Sequence, residues 1–131
     1  MKLLLDTHAL LWWLGGSGKL GARAHALIAD PEATVWVSAA TAWEIAVKAG
    51  LGRLDLGEPP ETCLPRELER SRFRHLPITL THALAVRTLP RRHGDPFDRL
   101  LIAQAMLEEL TIVTTDAAIA GYDVAKLDAS I

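Results

Sequence analysis

Three short apolar runs, Lys2–Leu5 (KLLL), Thr34–Val37 (TVWV) and Thr111–Thr114 (TIVT), constrain this chain more than any other feature. None shows the polar–apolar alternation of a strand with one wet face. They read as strands buried on both faces, the pattern of a parallel sheet covered by helices. The segments between them carry helix signals. His8–Leu14 is stopped by Gly15-Gly16, Gly21–Ala29 ends before Asp30-Pro31, and Ala39–Ala49 is capped by Ser38 and closed by Gly50. Gly50–Pro60 reads as a loop. Glu61–Arg70 reads as a helix against which Pro65 counts. Thr81 is expected to cap a helix ending near Leu89-Pro90, and the last long helix runs from Pro96 to about Glu109. His75–Ile78 and Tyr122–Leu127 supply the expected third and fifth strands. Strands alternating with helices imply an α/β fold in which every strand's carboxyl end lies on one edge, where such sheets bind ligands.

Length and composition agree with one globular domain over residues 1–131. Half of the 131 residues are hydrophobic, and the mean hydropathy is +0.17. The apolar runs are too short to span a membrane. The start, MKLLLDTHALLWWLGG, superficially resembles a secretion signal, but Asp6 and His8 interrupt its apolar stretch and no small-residue cleavage site follows. A single cysteine, Cys63, excludes an internal disulfide and fits a reducing cytoplasm. The net charge of −2 does not by itself announce a nucleic-acid partner.

The acids are more informative. Asp6 ends the first strand and Asp116 follows the fourth. Glu44 lies in the helix entered from the second strand. Asp98 opens the helix that returns to the fourth, in HGDPFDRLLIAQA. A helix returning to a parallel strand runs antiparallel to it, so its amino end also lies at the carboxyl edge. Each acid has an ordinary explanation. Asp6 and Asp116 suit helix caps or turns, Glu44 pairs with Lys48 at i, i+4, and Asp95 before Pro96 is an N-cap with proline at the first helical position. Asp98 is harder to explain so, because it stacks on Leu101, Ile102 and Ala105, an inward stripe where a carboxylate is costly unless paired or metal-bound.

Four carboxylates at one edge repel one another unless a cation joins them. Mg²⁺ or Mn²⁺ prefers such oxygen ligands, and ions held this way promote phosphodiester hydrolysis. No GxSxG, Cys–His pairing, P-loop or zinc-spaced histidine set competes.

These residues carry a family resemblance. LLLDTHALLWWL, VSAATAWEIAVKAGLGRL, LPRRHGDPFDRLLIAQA and TIVTTD, in this order and spacing, resemble the PIN-domain ribonucleases. More narrowly they resemble the VapC toxins of bacterial toxin–antitoxin pairs, in the subgroup with an H-x-DPFDR motif. The resemblance covers nearly the whole chain. It implies a PIN-like three-layer sandwich, with a five-stranded parallel sheet of order 3-2-1-4-5 flanked by helices. It implies a Mg²⁺- or Mn²⁺-dependent endoribonuclease that acts as a homodimer and is silenced by a cognate VapB-type antitoxin. The family's acids fall on Asp6, Glu44, Asp98 and Asp116. Thr7 and Thr115 match hydroxyl positions that support the metal shell, and Asp95 matches an extra acid whose role stays open between N-cap and outer shell.

For an RNA substrate, Lys48, Arg53, Arg91, Arg92 and Arg99 are candidate phosphate contacts, and solvated surface arginines are the plain alternative. His8 is either a phosphate contact or a packing residue. Trp12, Trp13, Trp36 and Trp43 read as core or interface rather than base-stacking residues, with exposed apolar surface near Trp12 and Trp13 as the expected antitoxin seat. Two other function classes remain. LLLDT resembles the first motif of haloacid-dehalogenase-type phosphatases, but His8 stands where their second aspartate belongs. A non-catalytic PIN-fold binding module is the other, and the intact acid set argues against it.

Overall fold

A computed structural model describes residues 1–90 and 94–131. Its strands are β1 (Lys2–Leu5), β2 (Thr34–Ser38), β3 (Arg74–Leu76), β4 (Thr111–Thr114) and β5 (Lys126–Asp128). The helices are α1 (Thr7–Gly15), α2 (Ala22–Ala29), α3 (Ala39–Gly50), α4 (Pro60–Arg70), α5 (Leu80–Ala85), α6 (Pro96–Glu108) and α7 (Ala117–Ala120), and one 3-10 turn covers Val86–Thr88. The strands form a single sheet in the order β3-β2-β1-β4-β5. Every pairing is parallel, with Leu3 opposite Val35 on one side and Thr111 on the other.

β1 is central because its leucines face both ways. Leu3 and Leu5 join Leu10, Ala24, Val35, Val37, Ile45 and Leu68 in one core. Leu4 joins Leu101, Ile102, Ala105, Ile112 and Ile119 in the other. The result is a three-layer sandwich with α1, α2 and α4 on one face and α5, α6 and α7 on the other.

Local chemistry sets the boundaries. Gly16 ends α1 with φ 62°, donating its N–H to the carbonyls of Trp12 and Trp13, a left-handed position that glycine occupies without strain. Ser38 caps α3 by accepting the Ala40 N–H. Helix α4 runs through Pro65. The expected cap at Thr81 is instead Thr79, whose hydroxyl accepts the His82 N–H while His82 accepts the Thr79 N–H. The third strand occupies Arg74–Leu76 rather than His75–Ile78, since Pro77 has no N–H to extend the ladder. Among the described residues, no helix is long and apolar enough to cross a membrane.

Candidate active site

Asp6 follows β1 directly and is 4 % exposed. Its Oδ1 accepts the Ala9 N–H at 2.8 Å, so it caps α1. Its Oδ2 accepts the Thr114 hydroxyl at 2.6 Å. Burial raises the Asp6 carboxyl above its ordinary range, against the opposing pull of the Thr114 and Ala9 hydrogen bonds and of His8. Thr114 also receives the Asp116 N–H at 2.9 Å, so one hydroxyl ties the end of β4 to both acids. The sequence reading put this supporting role on Thr115, which is exposed. Thr115 lies one residue beyond β4, and the last strand residue faces the site instead.

Asp116 caps the short α7 through the Ala118 N–H at 2.9 Å and is one of the neighbours that raise the Asp98 carboxyl. Asp98 is pushed up to about 8, first by burial, then by the charge of Asp95, by the hydrogen bond and charge of Asp116, and by the charge of Asp6. Asp95 caps α6, accepting the N–H groups of Phe97 and Asp98 at 2.9 and 3.1 Å. Asp95 is therefore both the cap and a negative neighbour whose charge raises Asp98.

Glu44 is 8 % exposed and its environment differs. Oε1 accepts the Thr7 hydroxyl at 2.6 Å, and Oε2 meets Lys48 Nζ at 2.7 Å. Among the expected site residues, the structure brings Asp6, Asp98 and Asp116 together electrostatically, with Asp95 beside Asp98. Glu44 is compensated separately by Thr7 and Lys48. Among the described residues, no group of three or more His, Cys, Asp or Glu side chains stands arranged to hold a metal ion. The donor set nevertheless fits a hard divalent cation. The negative neighbours Asp95, Asp116 and buried Asp6 raise the Asp98 carboxyl, and a divalent cation among them would relieve that repulsion.

The basic candidates divide. Lys48 is paired with Glu44. Arg53 is exposed on the turn after α3. Arg91 and Arg92 lie outside the described residues. Arg99 turns inward. Its guanidinium donates to the carbonyls of Pro90, Val86 and Leu89 and to the Tyr122 hydroxyl at 2.9–3.4 Å. This replaces the expected phosphate contact with a clamp on the chain entering α6. His8 stacks on Trp12 with centroids 6.1 Å apart. Trp12 and Trp13 are half-buried against the first core, and Trp13 Nε1 donates to Ser71 Oγ at 3.0 Å. Trp43, read as a core or interface residue, is 58 % exposed in the single chain and meets Phe97 edge-on at 5.1 Å. Thr114 is a contributor that the sequence did not point to.

Comparison with known proteins places this arrangement. A search of curated proteins returns no match. Among solved structures, VapBC2 from Rickettsia felis, bound to a DNA fragment from the promoter, matches with a TM-score of 0.72 at 17 % identity, covering 97 % of this chain and 98 % of that one. VapBC-1 from nontypeable Haemophilus influenzae matches with a TM-score of 0.68 at 17 % identity over 100 % of both chains. A toxin–antitoxin complex from Klebsiella pneumoniae matches with a TM-score of 0.66 at 21 % identity over 96 % of each. At these identities the likeness is one of fold. The PIN domain model matches residues 3–125, nearly the whole chain, and the chain belongs to the PIN domain family.

Proposed function

We propose that this protein is a metal-dependent endoribonuclease of the VapC toxin type. The carrying observation is the carboxyl cluster at the sheet's carboxyl edge, where Asp116, Asp95 and buried Asp6 crowd Asp98 and push its carboxyl up. Asp6, Asp98 and Asp116, with Glu44, are the residues that would hold Mg²⁺ or Mn²⁺. When bound, the ion supplies positive charge that ionises water and stabilises phosphoryl oxygens. The chain's own work is to keep the acids in place. Thr114 and the Ala9 N–H orient Asp6, Thr7 and Lys48 orient Glu44, and the Ala118 N–H orients Asp116. Arg53, together with Arg91 and Arg92, remains a candidate for flanking RNA phosphates, and Lys48 is one only when released from Glu44. Thr115 is left as an outer position. The reading includes a cytoplasmic location and the H-x-DPFDR subgroup.

Two partners belong to the proposal. A second copy would cover Leu80 and Leu84 on α5 with Met106 and Leu107 on α6, all exposed. An apolar segment of a VapB-type antitoxin would cover Trp43, Val47 and Leu51 on α3, also exposed. In sedimentation, Leu84→Glu is expected to lose the homodimer and Trp43→Glu the antitoxin complex, and unchanged assembly in either variant removes the corresponding surface.

The function itself is tested by incubating the purified chain with total bacterial RNA in Mg²⁺, Mn²⁺ or EDTA, beside Asp6→Asn. Discrete fragments that need metal and vanish in the variant are expected. Full cleavage by Asp6→Asn, or in EDTA, contradicts the proposal, and binding without cleavage moves the reading to a non-catalytic module.

A further inference from the structure

Gln104 has no exposed surface, yet it interrupts the apolar run Leu101–Ala105 of α6. Its side chain reaches three other elements. Oε1 accepts the Ser38 hydroxyl at 2.5 Å, and Ser38 Oγ in turn caps α3 by accepting the Ala40 N–H at 2.9 Å. Nε2 donates to the Pro77 carbonyl, just past β3, at 3.2 Å. It also stands 3.3 Å from His82 Nδ1 in α5. His82 Nδ1 receives the Thr79 N–H at 3.1 Å as well. A main-chain N–H can only donate, so Nδ1 is the bare nitrogen and Nε2 carries the ring proton. Nε2 faces Glu108 Oε1 at 2.8 Å, which returns the chain of bonds to α6 one turn beyond Gln104. Donors and acceptors therefore follow one order from Ser38 through Gln104 and His82 to Glu108.

The surroundings show what such a network adds. Leu101, Ile102, Ala103 and Ala105 hold α6 by apolar contact, which is non-directional and tolerates repacking. Directional bonds in a buried site do not slide without breaking. A shift of α6 by one residue would carry Asp98 about 1.5 Å along the helix axis, whereas metal–ligand distances tolerate about 0.2 Å.

We propose that the Ser38–Gln104–His82 chain is a positioning device that locks α6, and with it Asp98, against the amino end of α3, the helix that carries Glu44. The functional part of this inference rests on the metal-dependent reading above, and the structural part does not.

Gln104→Met keeps the side-chain length and removes its hydrogen bonds. Ser38→Ala removes the hydroxyl and Ser38→Thr keeps it. Ile28→Val, in the opposite core, controls for plain loss of stability. In Mn²⁺ titrations of the full chain, Gln104→Met and Ser38→Ala are expected to bind about tenfold more weakly, while Ser38→Thr and Ile28→Val bind like the parent. In the metal-free crystal structure of Gln104→Met, Asp98 Cα is expected to move by about 1 Å relative to β1 and β4, a displacement large enough to disable a catalytic group. Parental Mn²⁺ affinity in both relay variants overturns the inference. If the parent itself binds no Mn²⁺, the proposed function fails and the crystal structure decides alone. Asp98 then lying within about 0.2 Å of its parental place, the ligand tolerance, overturns the positioning role. Should Gln104→Met not fold, Ser38→Ala, which leaves Gln104 in place, carries both comparisons.

Discussion

Asp98→Asn should stabilise the metal-free protein at alkaline pH. The Asp98 carboxyl rises from an ordinary 3.8 to about 8 in the folded chain. Between these values the folded state holds a proton that the unfolded state has released, so stability falls as pH rises through that window and is fully retained only below it. Each tenfold change in proton affinity corresponds to about 1.4 kcal/mol. Asp98 is only part-buried, and solvent screening reduces the full four-decade value to about 1–2 kcal/mol. Losing a carboxylate from the first turn of α6 costs about 0.5 kcal/mol of helix-dipole attraction. The net gain for asparagine is about 1 kcal/mol at pH 8, or about 3–5 °C in Tm for a chain of this size. Thermal melts of both proteins in EDTA from pH 4 to pH 8.5 read this directly. The curves should meet near pH 4 and diverge as pH rises, and Mn²⁺ should then stabilise the parent but not the variant. A variant less stable than the parent at pH 8, or a difference independent of pH, would refute the account of crowded carboxyls.

Thr114→Val removes the hydroxyl shared by Asp6 and the Asp116 N–H. It should lower RNA cleavage by about 10–100-fold, as loss of a group orienting a metal ligand does, and Thr114→Ser should restore most of the rate. Arg99→Met leaves three carbonyls and the Tyr122 hydroxyl without their common donor. It should cost about 2–4 kcal/mol in urea melts, the range for losing several hydrogen bonds to one charged group. A variant as stable as the parent but with weaker, less salt-dependent RNA binding would return Arg99 to the phosphate rim.

The three central strands β2, β1 and β4 were legible because they are short apolar runs, and parallel strands leave no choice of edge for their carboxyl ends. Asp6 and Asp95 were legible as caps, since Asp before a helix or before Pro carries its own chemistry. Thr114 was not, because TIVTTD offers two adjacent threonines and only the point where β4 stops decides which one faces Asp6. Thr79 was hidden by its partner. The usual reciprocal cap pairs a hydroxyl with Glu or Gln three residues on, and here that position is His82. Arg99 read as a surface cation because a sequence shows charge and not the uncapped carbonyls of Val86, Leu89 and Pro90 that draw it inward. The exposure of Trp43 was equally invisible, since a tryptophan inside an apolar helix looks the same whether it faces the core or a partner.

The most direct measurement is Mn²⁺ binding to the purified, antitoxin-free chain by isothermal titration at pH 7.5, beside Asp98→Asn and Asp116→Asn. The account predicts saturable binding by the parent with release of the Asp98 proton, seen as a heat that varies with buffer ionisation, and binding about tenfold or more weaker in both variants. Equal affinity in all three proteins, or binding without proton release, would contradict the claim that these paired aspartates are the metal site.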